Sequence, residues 1–238
     1  VLGESTSNQI ARGHRGRVEV VLTVQGRSVH ASVPERGVNP HYVMARFLLR
    51  VEALEKATDP VFGASTVAPT LYETDQTSHN VTPGECRLHL DWRNVPAETP
   101  DQILHKLQSI VNESLIPGSQ ASLDVPQLTL QAYTGQEVSL PAVFPSFALP
   151  VDHELVVAAQ QAVQGVLQRP VAVVEWRFAT DGGHLMQAGI PTIGFAPGEE
   201  RLAHTTEDRI DVEMMLDAFA GYLAILRQLH SHRSAGGS

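Results

Sequence analysis

Five polar side chains fall where elements of structure should end, and their types suit the handling of a cation, a carbonyl or a carboxylate. Glu4, in Leu2-Gly3-Glu4-Ser5-Thr6, follows a short apolar stretch that reads as the tail of a strand. Strand ends in α/β sheets are where ligands bind, so a carboxylate there is well placed. His204 follows the apolar run 192–195 and the turn Ala196-Pro197-Gly198. A neutral imidazole is a common metal ligand, and a neighbouring carboxylate can orient its second nitrogen. His30 lies in the loop 26–34, among small neighbours that leave its ring room to reach outward. Loops on rigid scaffolds often hold functional groups. Arg93 shares a strand face with His89 and Asp91. A guanidinium steadied by a carboxylate can offer a two-pronged contact to a substrate carboxylate. Asn80, in His79-Asn80-Val81-Thr82-Pro83, precedes that strand. Each residue also has a plain structural reading: an exposed loop side chain for Glu4, His30 and His204, a surface ion pair for Arg93, and turn chemistry for Asn80.

The elements that must position these residues follow from periodicity. Val18, Val20, Leu22 and Val24 alternate with other residues, which predicts a strand with one apolar face. Val43, Phe47, Val51 and Leu54 recur at helical spacing over 39–56, with Asn39 as N-cap and Pro40 at the first helical position. Strands follow over 65–73 and 85–93. In the second, Cys86, Leu88, Leu90 and Trp92 share one face. A helix from about Thr99-Pro100 turns Ile103, Leu107, Ile110 and Val111 inward, and a strand over 122–130 closes the unit. The order strand-helix-strand-strand-helix-strand is the split βαβ, or ferredoxin-like, arrangement.

Residues 135–150 contain four prolines or glycines and no clear period, which reads as a connection. Beyond it the spacing predicts a helix over 152–167 capped by Asp152, a strand over 171–176, and a short helix over 181–188. A strand over 192–195 and a helix over 212–230 follow. Alternation of this kind implies an α/β domain, a mixed sheet covered by helices on both faces. The expected organisation is a partial α/β domain from 1–15 with 145–238, a βαββαβ domain inserted over 16–132, and a connection over 133–144. Val1-Leu2-Gly3 reads as the end of a strand, so a fragment of a longer protein is expected. Ser234-Ala235-Gly236-Gly237-Ser238 reads as a frayed tail.

Bulk composition excludes several classes. The formal charge of −9 argues against nucleic acid or an anionic membrane as partner, since both need a basic face. No apolar run reaches the roughly 18 residues of a membrane helix. A single cysteine, Cys86, forbids an intramolecular disulfide and fits a reducing, cytoplasmic compartment. No zinc-finger spacing, phosphate-binding glycine loop or nucleophile elbow is present.

Taken in order, LGESTS (2–7), GRSVHASVPERGVNP (26–40), NVTPGECRLHLDWR (80–93), ATDGG (179–183) and GIPTIGFAPGEERLAHTTEDRI (189–210) resemble one family. It is that of the zinc-dependent aminoacylases, acetylornithine deacetylases, succinyl-diaminopimelate desuccinylases and glutamate carboxypeptidases. The resemblance implies a catalytic α/β domain with two zinc or cobalt ions and an inserted lid or dimerisation domain. It implies that Glu4 is the carboxylate ligand of one ion and His204 the imidazole ligand of the other. It implies further that His30 reaches into a partner subunit's active site to steady the oxyanion, and that Asn80 and Arg93 bind the carbonyl or carboxylate end of the substrate. The implied reaction is hydrolysis of an amide bond in an N-acyl amino acid or small peptide by a metal-activated water, in a homodimer. Two departures stand out: Ser5 replaces the usual proline after the glutamate, and Asp208 takes the place of a frequent glutamate. The family's other metal ligands and its general base precede the position of Glu4 and are not in this sequence. The chain alone is therefore expected to bind metal weakly and to be inactive. Alternative readings are a ureido-acid amidohydrolase on the same scaffold and a non-catalytic dimerisation module.

Overall fold

The computed structural model describes residues 1–235. Within the segment 1–16, strand β1 (Ile10–His14) forms, and the chain then turns at Arg15-Gly16 into β2 (Arg17–Gln25). That turn is a boundary: 1–16 packs with the stretch from Phe144 onward, and 17–143 forms a second unit.

In the inserted unit, alternation decides which face of each strand is dry. Val18, Val20, Leu22 and Val24 of β2 are all fully buried, whereas Arg17, Glu19, Val21 and Thr23 are only half-buried. Next come α1 (His41–Ala53), a small hairpin of β3 (Thr58–Asp59) and β4 (Gly63–Ala64), then β5 (Thr66–Thr74) and β6 (Glu85–Arg93). α2 (Pro100–Ser114) and β7 (Gln120–Asp124) complete the set. The sheet order is β7-β2-β6-β5, with every pair antiparallel. That is the ferredoxin-like βαββαβ order expected from the periodicity. The register sets Val20 opposite Leu90, Leu22 opposite Leu88 and Val24 opposite Cys86. On this apolar face lie Val43, Met44, Phe47 and Val51 of α1 and Ile103, Leu107, Ile110 and Val111 of α2. Thr99 begins α2 with a capping box: its hydroxyl accepts from the Gln102 N–H, and the Gln102 side chain accepts from the Thr99 N–H. The helix α1 starts one residue later than expected, with Pro40 rather than Asn39 at the N-cap, though Asn39 Oδ1 still accepts from the His41 N–H at 3.0 Å, and it ends at Ala53 rather than 56. β5 is an edge strand, and a register shift beside Pro69 accommodates the missing donor.

The single strand expected over 122–130 is two. Pro126 cannot donate to a ladder, and the chain breaks there into β7 and a separate β8 (Gln127–Gln131). β8 pairs with β9 (Glu137–Pro141), Leu128 facing Leu140 and Leu130 facing Val138. The stretch read as a bare connection thus holds half of a hairpin, turned at Gly135 with φ +85°.

β10 (Val143–Phe144) spans the passage between the units. The discontinuous unit continues with β11 (Phe147–Ala148), α3 (Glu154–Leu167), β12 (Val173–Trp176), α4 (Gly182–Gln187) and α5 (Val212–Ala235). β1 is the central strand, antiparallel to β11 and parallel to β12, so the sheet is mixed. The cap of α3 is His153 rather than Asp152, its Nδ1 accepting from the Leu155 N–H at 3.1 Å. The run 192–195 makes only single bridges, Gly194 meeting Leu2 in parallel and Ala11 in antiparallel sense. Of the expected tail, Ser234 and Ala235 continue α5, and 236–238 lie outside the described residues. α5 is apolar on two faces: Ala218 and Ile225 are buried, while Leu216, Phe219 and Leu226 are exposed.

Gly194 illustrates how tightly this unit closes. A Cβ there would lie 1.8 Å from the Trp176 ring, which is 2% exposed and pinned by its indole N–H donating to Ser5 O at 2.9 Å. Gly194→Ala is therefore expected to cost about 3 kcal/mol by overpacking, read as a lower thermal midpoint. An unchanged midpoint would mean the ring can yield.

Candidate active site

The far end of the inserted unit, where β2 ends and β6 begins, is built by a small ladder. The Ala31 N–H donates to Asn80 O at 2.8 Å, the Thr82 N–H to Val29 O at 2.9 Å, and the Val29 N–H to Thr82 Oγ1 at 3.0 Å. His30 thereby pairs with Val81, one residue from Asn80. Two of the five residues singled out by type are thus brought together, and both are exposed. The ring of His30 is held through Nδ1, which accepts from the Ser32 N–H at 3.2 Å and lies 2.8 Å from Ser32 Oγ. An Nδ1 that accepts leaves the proton of a neutral ring on Nε2, a donor facing away from the loop. Asn80 Oδ1 accepts from the Ser78 hydroxyl at 2.5 Å, which leaves its NH2 group as a second donor.

Arg93 stands at the opposite end of β6. It lies eight residue steps along the strand from Glu85, about 27 Å at the usual rise. Its Nε and Nη2 grip Asp91 at 2.6 and 3.0 Å, and Asp91 also accepts from Arg17 Nε at 2.8 Å. Arg17 in turn pairs with Glu19 at 2.6 Å. The guanidinium is therefore strapped in place, at the end of the unit where the chain enters at residue 17. Within one copy, the structure does not bring Arg93 near His30 and Asn80.

In the discontinuous unit, the parallel bridge between Leu2 and Gly194 makes the chain leave both residues toward the same sheet edge. Glu4 follows Leu2, and the 196–204 segment follows Gly194. The two loops are tied together: the Thr6 hydroxyl donates to Ala196 O at 3.0 Å and the Ser7 N–H to Gly198 O at 2.8 Å. Both Glu4 and His204 are exposed. His204 adopts φ +63°, a left-handed conformation that few residues other than glycine take, just after the 3-10 turn Glu200–Leu202. Among the described residues, no three or more His, Cys, Asp or Glu side chains converge as a cation site would require. Zinc takes three or four protein ligands. The residues of this chain do not by themselves fit a metal ion.

Residue types alone missed His14. It closes β1, is fully buried, and its ring contacts Phe147 edge-on at 4.7 Å. The only local signal is a titratable residue beside Ile10 and Ala11, and the Arg12-Gly13 pair hides the strand from any period-2 reading.

Residues 12–119 match the model of the peptidase dimerisation domain of the M20 family. An uncharacterized protein YgeY of Escherichia coli K12 is 29% identical over 225 residues, 93% of this chain and 55% of that protein. An acetylornithine deacetylase of Pectobacterium atrosepticum is 29% identical over 223 residues, 89% of this chain and 51% of the enzyme. Among solved structures, an aminopeptidase PepT from Bacillus cereus superposes with a TM-score of 0.74 at 18% identity, over 96% of this chain and 56% of the other. The YXEP protein of Bacillus subtilis, described as a dinuclear metal binding peptidase from the M20 family, superposes with a TM-score of 0.64 at 16% identity, over 96% and 55%. These superpositions show a shared fold. The chain spans about half the length of the curated relatives it matches.

Proposed function

We propose that this chain, whose residues 12–119 match the M20 peptidase dimerisation domain, is part of a metallopeptidase-type enzyme hydrolysing the amide bond of an N-acyl amino acid or small peptide. One observation carries the reading: the ladder between 29–31 and 80–82 brings the backbones of His30 and Asn80, each with a side-chain donor left over, to one exposed end of the inserted sheet. Such a pair suits a carbonyl oxygen that becomes an oxyanion, because fixed donors need no reorganisation as charge develops. Arg93, braced by Asp91, suits the substrate's carboxylate and would orient the scissile bond.

Geometry supports a homodimer in this reading. An acylated amino acid or dipeptide is on the order of 10 Å long, since extended chain advances about 3.5 Å per residue. The two ends of one β6 are too far apart to touch such a substrate together, so His30 and Asn80 of one copy would serve the site that Arg93 of the other copy completes. β5 presents a free edge with Leu71 and Tyr72 partly exposed, beside Tyr42 and Leu49 on α1, a surface of the kind that pairing covers.

Glu4 and His204 are proposed as one ligand each to two divalent ions, zinc or cobalt. Among the described residues no third ligand stands beside them, so neither residue closes a site by itself. A cytoplasmic location is consistent with the single cysteine, and among the described residues no helix is long and apolar enough to cross a membrane. The apolar outer face of α5 is in keeping with a unit that completes itself against further polypeptide.

The test pairs calorimetric titration of the 238-residue chain with zinc and an assay on N-acetyl amino acids, dipeptides and a ureido acid. The chain alone should bind zinc weakly and turn nothing over, and the full-length protein should cleave the N-acyl or peptide substrates. Robust turnover by the chain alone, or cleavage of the ureido acid only, overturns the proposal.

A further inference from the structure

One buried titratable side chain of the discontinuous unit has no part in the reading above. His14 ends β1, and its backbone pairs with Phe147 on β11 and Trp176 on β12. Its Nδ1 lies 2.8 Å from Arg15 O, and its Nε2 lies 3.2 Å from the Thr180 nitrogen. A carbonyl oxygen can only accept, so Nδ1 carries the proton. A backbone N–H can only donate, so Nε2 is bare. Both partners demand the same neutral tautomer. Phe147 meets the ring edge-on at 4.7 Å and Trp176 lies at 6.3 Å, so no water is needed to satisfy either nitrogen.

The bond at Nε2 is the first link in a chain. Thr180 Oγ1 accepts from the Gly182 N–H at 3.0 Å. Gly182 and Gly183 are packed so closely that a Cβ on either would strike, at 2.7 Å on the Phe147 ring and at 1.9 Å on Pro145 O respectively. Between these anchored residues sits Asp181, exposed. Because β1 and β12 run parallel, the turn lies at the carboxyl edge of both strands, where α/β sheets hold ligands.

We infer that His14 is a positioning residue: its bare Nε2 holds the Thr180 N–H and so fixes the Thr180–Asp181–Gly182 turn, presenting the Asp181 carboxylate at the sheet edge. The inference goes beyond the proposed hydrolysis and does not depend on it. A ring protonated at Nε2 would place a donor against a donor and release the turn. Burial, with a smaller push from His184, holds the imidazole below its ordinary value against the pull of the Arg15 carbonyl, and the Thr180 N–H, which needs a bare Nε2, also favours the neutral ring. The nearby charged residues along the chain are Arg12, paired with Glu175 at 2.7 Å, Arg15 next to His14 in sequence, and Asp181 next to Thr180. Because the folded value is depressed, the clamp's contribution to stability is complete above the ordinary imidazole value and is lost as pH falls through the folded value, where Nε2 takes up the proton and the bond breaks.

Nuclear magnetic resonance on the 238-residue chain tests this at the atoms concerned. Ring nitrogen shifts of His14 should report the Nδ1–H tautomer at neutral pH. Hydrogen exchange at the Thr180 amide, corrected for intrinsic rate, should be slow in wild type and in His14→Gln, whose carboxamide oxygen can accept the same bond. In His14→Phe it should speed up by about fivefold or more, the loss of one hydrogen bond. Below the ordinary imidazole value, the Thr180 amide should inflect in wild type and not in His14→Gln, which cannot titrate. An Nε2–H tautomer, wild-type exchange in His14→Phe, or the same inflection in His14→Gln overturns the inference. If His14→Phe does not fold, the comparison of wild type with His14→Gln still decides, and none of these readouts requires catalysis.

Discussion

Mixing full-length protein carrying His30→Ala with full-length protein carrying Arg93→Ala, assayed at a substrate concentration below the raised KM, is expected to give activity well above that of either variant alone. His30→Ala removes one oxyanion donor, so kcat should fall about 10²–10³-fold with KM little changed. Arg93→Ala removes a charge-assisted grip on the substrate, so KM should rise. Within one copy these residues sit at opposite ends of β6, with the ladder of 29–31 and 80–82 at one end and the Asp91–Arg17 brace at the other. If each site draws His30 from one subunit and Arg93 from the other, a mixed dimer holds one site with both lesions and one with none. Random reassembly of equal amounts makes half the dimers mixed, so about a quarter of wild-type turnover should return under two-fold symmetry. Failure to recover would mean that both residues act from one subunit, and the dimeric site would have to be abandoned.

Glu98→Ala should be the most destabilising single change in the inserted unit, by about 3–5 kcal/mol. The Glu98 side chain is 1% exposed and accepts from Ser65 Oγ at 2.7 Å, Trp92 Nε1 at 2.9 Å and Lys106 Nζ at 2.8 Å. Truncation leaves all three donors without their acceptor, two of them buried. Burial pushes this carboxyl upward, but the bonds from Lys106, Ser65 and Trp92 outweigh it and hold the carboxyl below the usual carboxylate value. A depressed folded value means the contribution is complete above the unfolded carboxylate value and drains away as pH falls through the folded value. Urea unfolding from pH 7 down to pH 3 should therefore show the gap between wild type and Glu98→Gln closing in acid. A gap constant with pH would show that the carboxylate's charge plays no part.

Local chemistry made much of the inserted unit legible. Period-2 apolar residues in β2 and β6, helical spacing in α1 and α2, and the helix start near Thr99-Pro100 all rest on signals that act over a few residues, and the elements formed close to where those patterns predict. Where two local signals competed, the reading slipped. Asp152 is the better intrinsic cap, yet His153 lies where its ring meets the Leu155 N–H. Alternation on both sides of Gly135 was present in Leu128, Leu130, Val138 and Leu140, but the prolines around it read as a plain connection.

What the sequence determined by itself is the main strands and helices of the inserted unit, the buried face of each, and the residue types able to meet a carbonyl, a carboxylate or a cation. What only the tertiary structure decided is their company: His30 beside Asn80, Arg93 a strand's length away, Glu4 and the His204 segment leaving the sheet by one edge, and His14 beneath Thr180. These pairings join residues from 50 to 200 positions apart in the chain. The register of one strand against another sets them, and no window of a few residues contains that register.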